Sequence, residues 1–310
     1  MKILVSGGAG FIGSHIADLY IRRGHKVVVI DNLSTGRIAN LNPEATFYKV
    51  DIRSKDIEKI FEIEKPDVVN HQAAQISIRQ SILTPILDAE VNILGSLNLI
   101  ECAIRYKVKR FIYASPGLAL YGEPQYLPCD ENHPINPTCQ HGASKHAVEH
   151  YLHMYNINYG LAYTIFRYPN VYGPRQDTHR DSGVVAIFSG KMLARQHITI
   201  NGNGEQVRDF LYVSDCALAN LLALNETESD IYNLGSMYGT AINTIFTTLK
   251  SFTNYDLTPI NGPSIVGEIN KIFLDSSKAQ RKLGWKPVED IFDGLKKTVE
   301  YYNKVDKRQN

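Results

Sequence analysis

The chain has 310 residues, 44% of them hydrophobic and 21% charged, with a formal net charge of +1. That balance suits a globular protein with a real core, either one large domain or two modest ones. It gives no electrostatic reason to bind nucleic acid or a membrane surface, and no apolar run approaches the ~18–20 residues of a spanning helix.

The first residues, "MKILVSGGAG", turn glycine-rich too soon for a signal peptide, so the cytoplasm is the expected compartment. β-branched runs predict strands over 2–7, 26–31, 46–51, 67–72 and 110–115. Helical patterns near 11–23, 54–62 and 85–106 lie between them. Strands separated by helices require right-handed crossovers and a parallel sheet covered on both faces. A helix over 142–158 and a strand over 162–168 extend the pattern. Beyond 169, turn-rich pieces such as "NGNGEQ" separate short helices near 214–224, 240–252 and 289–304. The expected fold class is therefore α/β, a doubly wound parallel sheet with a smaller lobe over the carboxyl ends of its strands.

Gly7, Gly10 and Gly13 form G-x-x-G-x-x-G between the first strand and the first helix. Glycines there permit a tight turn and close approach to a pyrophosphate, and the helix N-terminus supplies unpaired N–H groups. Asp31 ends the second strand, where its carboxylate accepts from adenosine ribose hydroxyls and repels an added phosphate. Arg37 lies past a Ser-Thr-Gly turn, so NAD is favoured over NADP. Asp51, ending the third strand, is placed to accept from the adenine amino group. Cys102, Cys129, Cys139 and Cys216 form no ligand cluster and read as free thiols.

"SGGAGFIGSH", "IDNLSTG", "HQAAQISIRQS", "VNILGSLNLIE", "RYPNVYGPRQD", "GNGEQVRDFLYVSD" and "KLGW" run in order along almost the whole chain. Together they resemble the extended short-chain dehydrogenase/reductases, above all the UDP-galactose 4-epimerases and related nucleotide-sugar epimerases. The resemblance implies a Rossmann domain over 1–168 and a substrate-binding lobe over 169–310, with the chain crossing back to the sheet within the latter. It implies tightly held NAD, a UDP-sugar substrate and a homodimer. The family removes a hydride from carbon 4 of the hexose, rotates the ketone and returns the hydride to the other face.

By position, Gly7, Gly10, Phe11, Ile12, Asp31, Asn32, Asp51 and Ile52 are implied to line the adenosine half of NAD. Ala73, Ala74 and Gln75 run along the cofactor, Asn92 braces the site, Lys145 holds the nicotinamide ribose, and Tyr168 stands beside the nicotinamide. Asn170 and Arg208 grip the diphosphate, a task suited to a planar guanidinium. Val184, Val185, Thr199 and Asn201 fall at the uridine pocket.

The chain departs from the family in three places. The family's Tyr-x-x-x-Lys reads His141-Gly142-Ala143-Ser144-Lys145 here. Residues four apart share a helix face, so His141 and Lys145 still point together. A neutral imidazole accepts a proton at neutral pH, but its far nitrogen reaches roughly 2 Å less than a tyrosine oxygen. In "YASPGLALYG", Ser115 is kept as the hydroxyl expected to bond the reacting sugar oxygen, while Pro116 replaces a second hydroxyl residue. Ile265 stands where relatives carry an arginine on the diphosphate. Ile272, smaller than tyrosine near carbon 2 of the sugar, is expected to admit an N-acetyl group.

His146, His150 and His153 recur at helical spacing without an evident ligand cluster and read as a solvated or interface face, with no metal expected. His71 reads as a residue shaping the cofactor loop. The expected activity is 4-epimerisation of a UDP-sugar with His141 as base. The alternative is a UDP-sugar and NAD binding protein with little turnover. Dehydratase or decarboxylase chemistry needs an acid in the "SPGLALYG" loop, which has none.

Overall fold

The computed structural model describes residues 1–178, 182–264 and 269–306. The chain opens with β1 (Lys2–Ser6), α1 (Phe11–Arg22), β2 (Lys26–Asp31), β3 (Thr46–Lys49), α2 (Asp56–Glu64) and β4 (Val68–His71). Two short helices, α3 (Ile78–Leu83) and α4 (Pro85–Ala89), lead through a π-helical turn at Glu90–Leu94 into α5 (Gly95–Arg105). β5 (Arg110–Pro116), α6 (Gly117–Tyr121), α7 (Gln140–Tyr159) and β6 (Ala162–Tyr168) follow.

The second part contains β7 (Asn170–Tyr172), α8 (Val184–Leu193), β8 (Thr199–Asn201), β9 (Val207–Arg208), β10 (Phe210–Tyr212) and α9 (Val213–Leu222). It ends with β11 (Asp230–Asn233), β12 (Thr240–Ala241), α10 (Ile242–Thr253), β13 (Ile260–Gly262), α11 (Ser277–Leu283) and α12 (Ile291–Asp306).

Seven parallel strands form the main sheet in the order β3-β2-β1-β4-β5-β6-β11. Alternate residues of each strand enter opposite layers. Ile3, Val5, Val27, Val29 and Phe166 pack under α1 and α9, while Leu4, Val28, Val69, Phe111 and Ile165 pack under α2, α5 and α7. Burial on both faces explains why these strands read as continuous apolar runs. A third cluster, with Val185, Phe188, Met192, Ile245, Leu249 and Leu295, joins α8, α10 and α12 into the smaller lobe. Residues 213–233 return to the main sheet through α9 and β11. Among the described residues no helix is long and apolar enough to cross a membrane.

The strands of the first half lie where the sequence pattern puts them. The helix predicted over 142–158 begins earlier, at Gln140, so His141 belongs to its first turn. α3 escaped the pattern because it is one capped turn and a half, stopped by Pro85; Ser77 accepts from the Gln80 N–H at 3.0 Å. The short pairs β7–β10, β9–β12 and β8–β13 are too brief to show a period.

α7 is tied to the sheet by a buried ion pair. Arg167 of β6 donates to Glu149 through Nη2 at 2.6 Å and Nε at 3.2 Å, and both side chains are 3% exposed. Burial would raise the Glu149 carboxyl, but hydrogen bonds from His146, Arg167 and Ser115 and the guanidinium charge hold it at about 2. Removing one partner leaves the other charged and buried. Arg167→Met should therefore cost about 3–5 kcal/mol in denaturant unfolding at pH 7, and a loss under ~1 kcal/mol would show that the pair does not anchor the helix.

Candidate active site

The order of strands reverses at β1, between β2 and β4, and the loops leaving β1 and β4 meet there. Gly7 holds φ at +70°, and a Cβ on it would lie 2.7 Å from the Ala73 nitrogen. Only glycine fits this contact. A Cβ on Gly13 would lie 2.2 Å from the Gly7 carbonyl oxygen, so the loop and the first turn of α1 also require close approach. Gly10 caps α1 without a side-chain hydrogen bond, leaving the first-turn N–H groups, including those of Phe11 and Ile12, for an anion.

His71, fully buried, closes this corner from below. Its Nδ1 lies 2.6 Å from Ser6 Oγ and its Nε2 2.9 Å from Ser96 Oγ, and burial followed by the Lys145 charge keeps the ring neutral. Asp31 is 7% exposed and accepts from the N–H groups of Ala9 and Leu33 at 3.1 and 2.8 Å. Burial raises its carboxyl, and those two hydrogen bonds oppose the shift. Arg37 pairs with Asp177 at 3.4 Å.

Asp51 accepts a forked pair of bonds from Arg53, both 2.9 Å, and one from Asn32 at 2.8 Å. These partners hold its carboxyl well below the usual range despite its partial burial. Ile52 is buried against Gly95 of α5.

The third wall is α7 with the segment 73–92 facing it. Asn92, 1% exposed on the π-helical turn, accepts from the Gln75 N–H at 2.9 Å. Its Nδ2 donates to the Gln75 carbonyl at 3.1 Å and to Asp88 Oδ1 at 3.0 Å. The same Nδ2 lies 3.4 Å from His141 Nδ1 and 3.3 Å from Ser144 Oγ. Burial, then the Lys145 charge, lowers the His141 imidazole to about 4, so it is a neutral acceptor near pH 7.

Lys145 is 3% exposed, and its Nζ sits 4.0 Å above the centre of the Tyr113 ring. Burial brings the ammonium down to about 7, with Glu149 and Asp88 opposing the shift. Asp88 is a residue that motif reading missed. It is 1% exposed, Oδ1 accepts from Gln75 and Asn92, and Oδ2 has no partner. Its charge acts on both His141 and Lys145. The only signal in the sequence is its place four residues before Asn92.

One expected role is overturned. Ser115 does not offer its hydroxyl to a substrate: it is 2% exposed and donates to Glu149 Oε1 at 2.6 Å. β5 turns that side chain under α7, where the buried carboxylate is the stronger acceptor. The next residues, Pro116 and Gly117, carry no hydroxyl. A Cβ on Gly117 would meet Leu274 Cδ1 at 2.9 Å and the Tyr168 carbonyl at 3.1 Å.

Tyr168 is buried, its hydroxyl accepting from Asn220 at 2.8 Å. Asn170 begins β7 and donates its N–H to the Asp209 carbonyl at 3.0 Å, which brings it beside Arg208 of β9. Arg208 donates to the Val207 carbonyl at 2.9 Å and stays half-buried. Asn201 joins this strip through Gln206, which donates to its carbonyl at 3.1 Å. Thr199 is exposed on β8, and Val184 is half-buried at the start of α8. The Val185 side chain packs into the small-lobe core. Ile272 is fully buried with Tyr121, Cys129 and Leu274. Ile265 lies outside the described residues.

The pattern of an NAD dependent epimerase/dehydratase family matches residues 3–235. The chain belongs to that family. Its cofactor is NAD, and the glycine loop, the uncapped α1 terminus and the Asp31 carboxylate fit one. A Thermotoga maritima UDP-glucose 4-epimerase, solved with UDP-glucose, is 46% identical with a TM-score of 0.97, covering 98% of this chain and 99% of that one. A Thermus thermophilus UDP-glucose 4-epimerase, solved with NAD, is 40% identical with a TM-score of 0.92 over 98% and 99% of the two chains. A Methanobrevibacter ruminantium UDP-N-acetylglucosamine 4-epimerase, in complex with UDP-N-acetylmuramic acid, is 34% identical with a TM-score of 0.93 over 98% of each chain.

Three groups in this wall have lowered folded pKa values, so the unfolded chain binds more protons in each window; stability rises with pH across it and is lost as pH falls. The windows run from 10.5 to about 7 for Lys145, from 6.5 to about 4 for His141, and from 4.5 to about 2 for Glu149. In the cofactor-free protein, His141→Gln should reduce the slope of the stability curve between pH 6.5 and 4, where buried His15 and His71 keep their own contributions, and leave the other two windows in place. An unchanged slope there, measured by denaturant unfolding, would show that the imidazole is not buried as described.

Proposed function

We propose that the protein is an NAD-dependent 4-epimerase of a UDP-hexose or UDP-N-acetylhexosamine, with His141 in the place of the family's tyrosine base. The observation that carries this reading is the buried His141–Lys145 pair on one face of α7, with His141 neutral. NAD, when bound, accepts a hydride from carbon 4 of the sugar and returns it. His141 Nε2 takes the proton of the 4-hydroxyl as the ketone forms and gives it back in the return half. The cationic form of Lys145 disfavours a charged imidazole, which keeps His141 an acceptor and then favours proton return. Asn92, itself held by Gln75, stands against the ring at 3.4 Å, while Asn170 and Arg208 hold the diphosphate from the opposite lobe.

A second reading, binding of both ligands with little turnover, draws on one observation. The Ser115 hydroxyl is committed to Glu149, so no side chain of residues 115–119 offers a donor to the reacting oxygen. Together with the shorter reach of His141, this puts the sugar about 1 Å or more from the best geometry, a displacement that can cost ~100-fold in rate.

All four cysteines are free, in keeping with a reducing compartment such as the cytoplasm. We also propose a homodimer through α5 and α7, which lie side by side and are joined by the Tyr155 hydroxyl donating to Glu101. The pair leaves Leu94 and Tyr159 exposed at 59% and 63%.

Incubation with UDP-glucose or UDP-N-acetylglucosamine should yield the 4-epimer by proton NMR, and His141→Phe should abolish it. His141→Tyr should raise turnover about 10-fold or more, because it restores the reach. No product over hours, with UDP-sugar bound and NAD retained, would leave the binding reading alone. Light scattering should report a dimer, and Leu94→Lys with Tyr159→Lys should shift it to monomer; a dimer that persists places the interface elsewhere.

A further inference from the structure

On the flank of α7 away from α5, two imidazoles meet. His146 Nε2 and His150 Nε2 are 3.1 Å apart, one helical turn from each other, with ring centroids at 4.5 Å. Position 146 lies nine residues before Tyr155, half a rotation around the helix from the side that touches α5, at 100° per residue. His150 is exposed and the His146 side chain is 24% exposed, so the pair opens to solvent.

We propose that His146 and His150 form a surface site for a divalent transition-metal ion of the zinc, nickel or copper class. Metal–imidazole bonds of about 2.0–2.1 Å span a 3.1 Å nitrogen pair at an angle of roughly 100°, between the octahedral and tetrahedral values. Histidines four apart on one helix face are a recurrent bidentate ligand pair.

The second shell is also present. His146 Nδ1 lies 3.3 Å from Glu149 Oε2, a carboxylate fixed by Arg167 and Ser115. A carboxylate behind a histidine places hydrogen on the near nitrogen and directs the lone pair of the far one outward. His146 is therefore an Nε2 acceptor, and the contact to His150 in the free protein is a hydrogen bond with the hydrogen on His150. Metal binding moves that hydrogen to His150 Nδ1, which is free to do so because the ring is exposed.

No third protein ligand converges. His153 Nδ1 instead lies 3.5 Å from the Tyr163 hydroxyl, and among the described residues no group of three or more His, Cys, Asp or Glu could hold a metal ion. Water completes the shell, imidazole ligands select against magnesium and calcium, and binding is weaker than at a closed structural site. Bound metal would staple one turn of the helix that carries His141 and Lys145 and would hold His146 as a donor to Glu149. This inference does not depend on the reaction assigned to the protein.

The test is calorimetric titration of the full chain with nickel or zinc chloride at pH 7.5, beside His150→Gln and His146→Gln. The wild type should bind about one ion per chain and show a raised unfolding midpoint. His150→Gln, a surface change that leaves the Glu149 network intact, should lose both effects, and His146→Gln should match it. Magnesium should produce neither. The proposal is overturned if the wild type shows no saturable binding at millimolar metal. It is equally overturned if His150→Gln binds as the wild type does, which would assign the ion elsewhere, for example to the N-terminal amine beside His25.

Discussion

The Glu149 carboxylate gripped by the Arg167 guanidinium fixes the rotation of α7 on the sheet, and the placing of His141 and Lys145 depends on that rotation. A helix packed through apolar contacts alone can slide or turn at small cost. A buried charge pair with a forked hydrogen-bond geometry cannot, because displacement strands two desolvated ions. Glu149 stands one turn beyond Lys145 and two beyond His141. Fixing it to β6 turns those two side chains toward the segment 73–92 and the end of β5. The same pair draws in the Ser115 hydroxyl, so the anchoring of the helix and the loss of a reacting-end donor have one cause.

The wall is an arrangement of buried charges that compensate one another only in part. Lys145 is desolvated over the Tyr113 ring, His141 is kept neutral, and Asp88 supplies a negative charge with one oxygen unpartnered. Such an arrangement costs stability in the free protein. It suits a site where a positively charged cofactor ring and a hydroxylated sugar redistribute the charge. Burial keeps the His141 imidazole neutral near pH 7, so it is an acceptor there.

Much of the fold and the cofactor end was legible because the signals are local. Gly7, Gly10 and Gly13 mark a turn whose backbone no other residue fits, and Asp31 closes a strand of unbroken apolar residues. The roles expected of Asn170, Asn201 and Arg208 rest on resemblance alone, since these residues sit on strands of two or three residues that carry no period. Asp88 carried no signal of its own: a carboxylate in a short helix reads as a solvated residue until its burial is known. Ser115 misled for the opposite reason, being a hydroxyl at a familiar place whose partner lies 34 residues away.

By itself the sequence determined the parallel sheet, the dinucleotide loop and the pairing of His141 with Lys145 on one helix face. Each follows from backbone sterics or helical period within a few residues. Tertiary structure alone decided that His141 is buried against Asn92, that Ser115 serves Glu149, and that His146 and His150 converge on one point. The first two are choices of hydrogen-bond partner among groups far apart in the chain, and the third is a choice of side-chain rotamer held by such a partner. Strand register and burial make those choices, which local patterning does not encode.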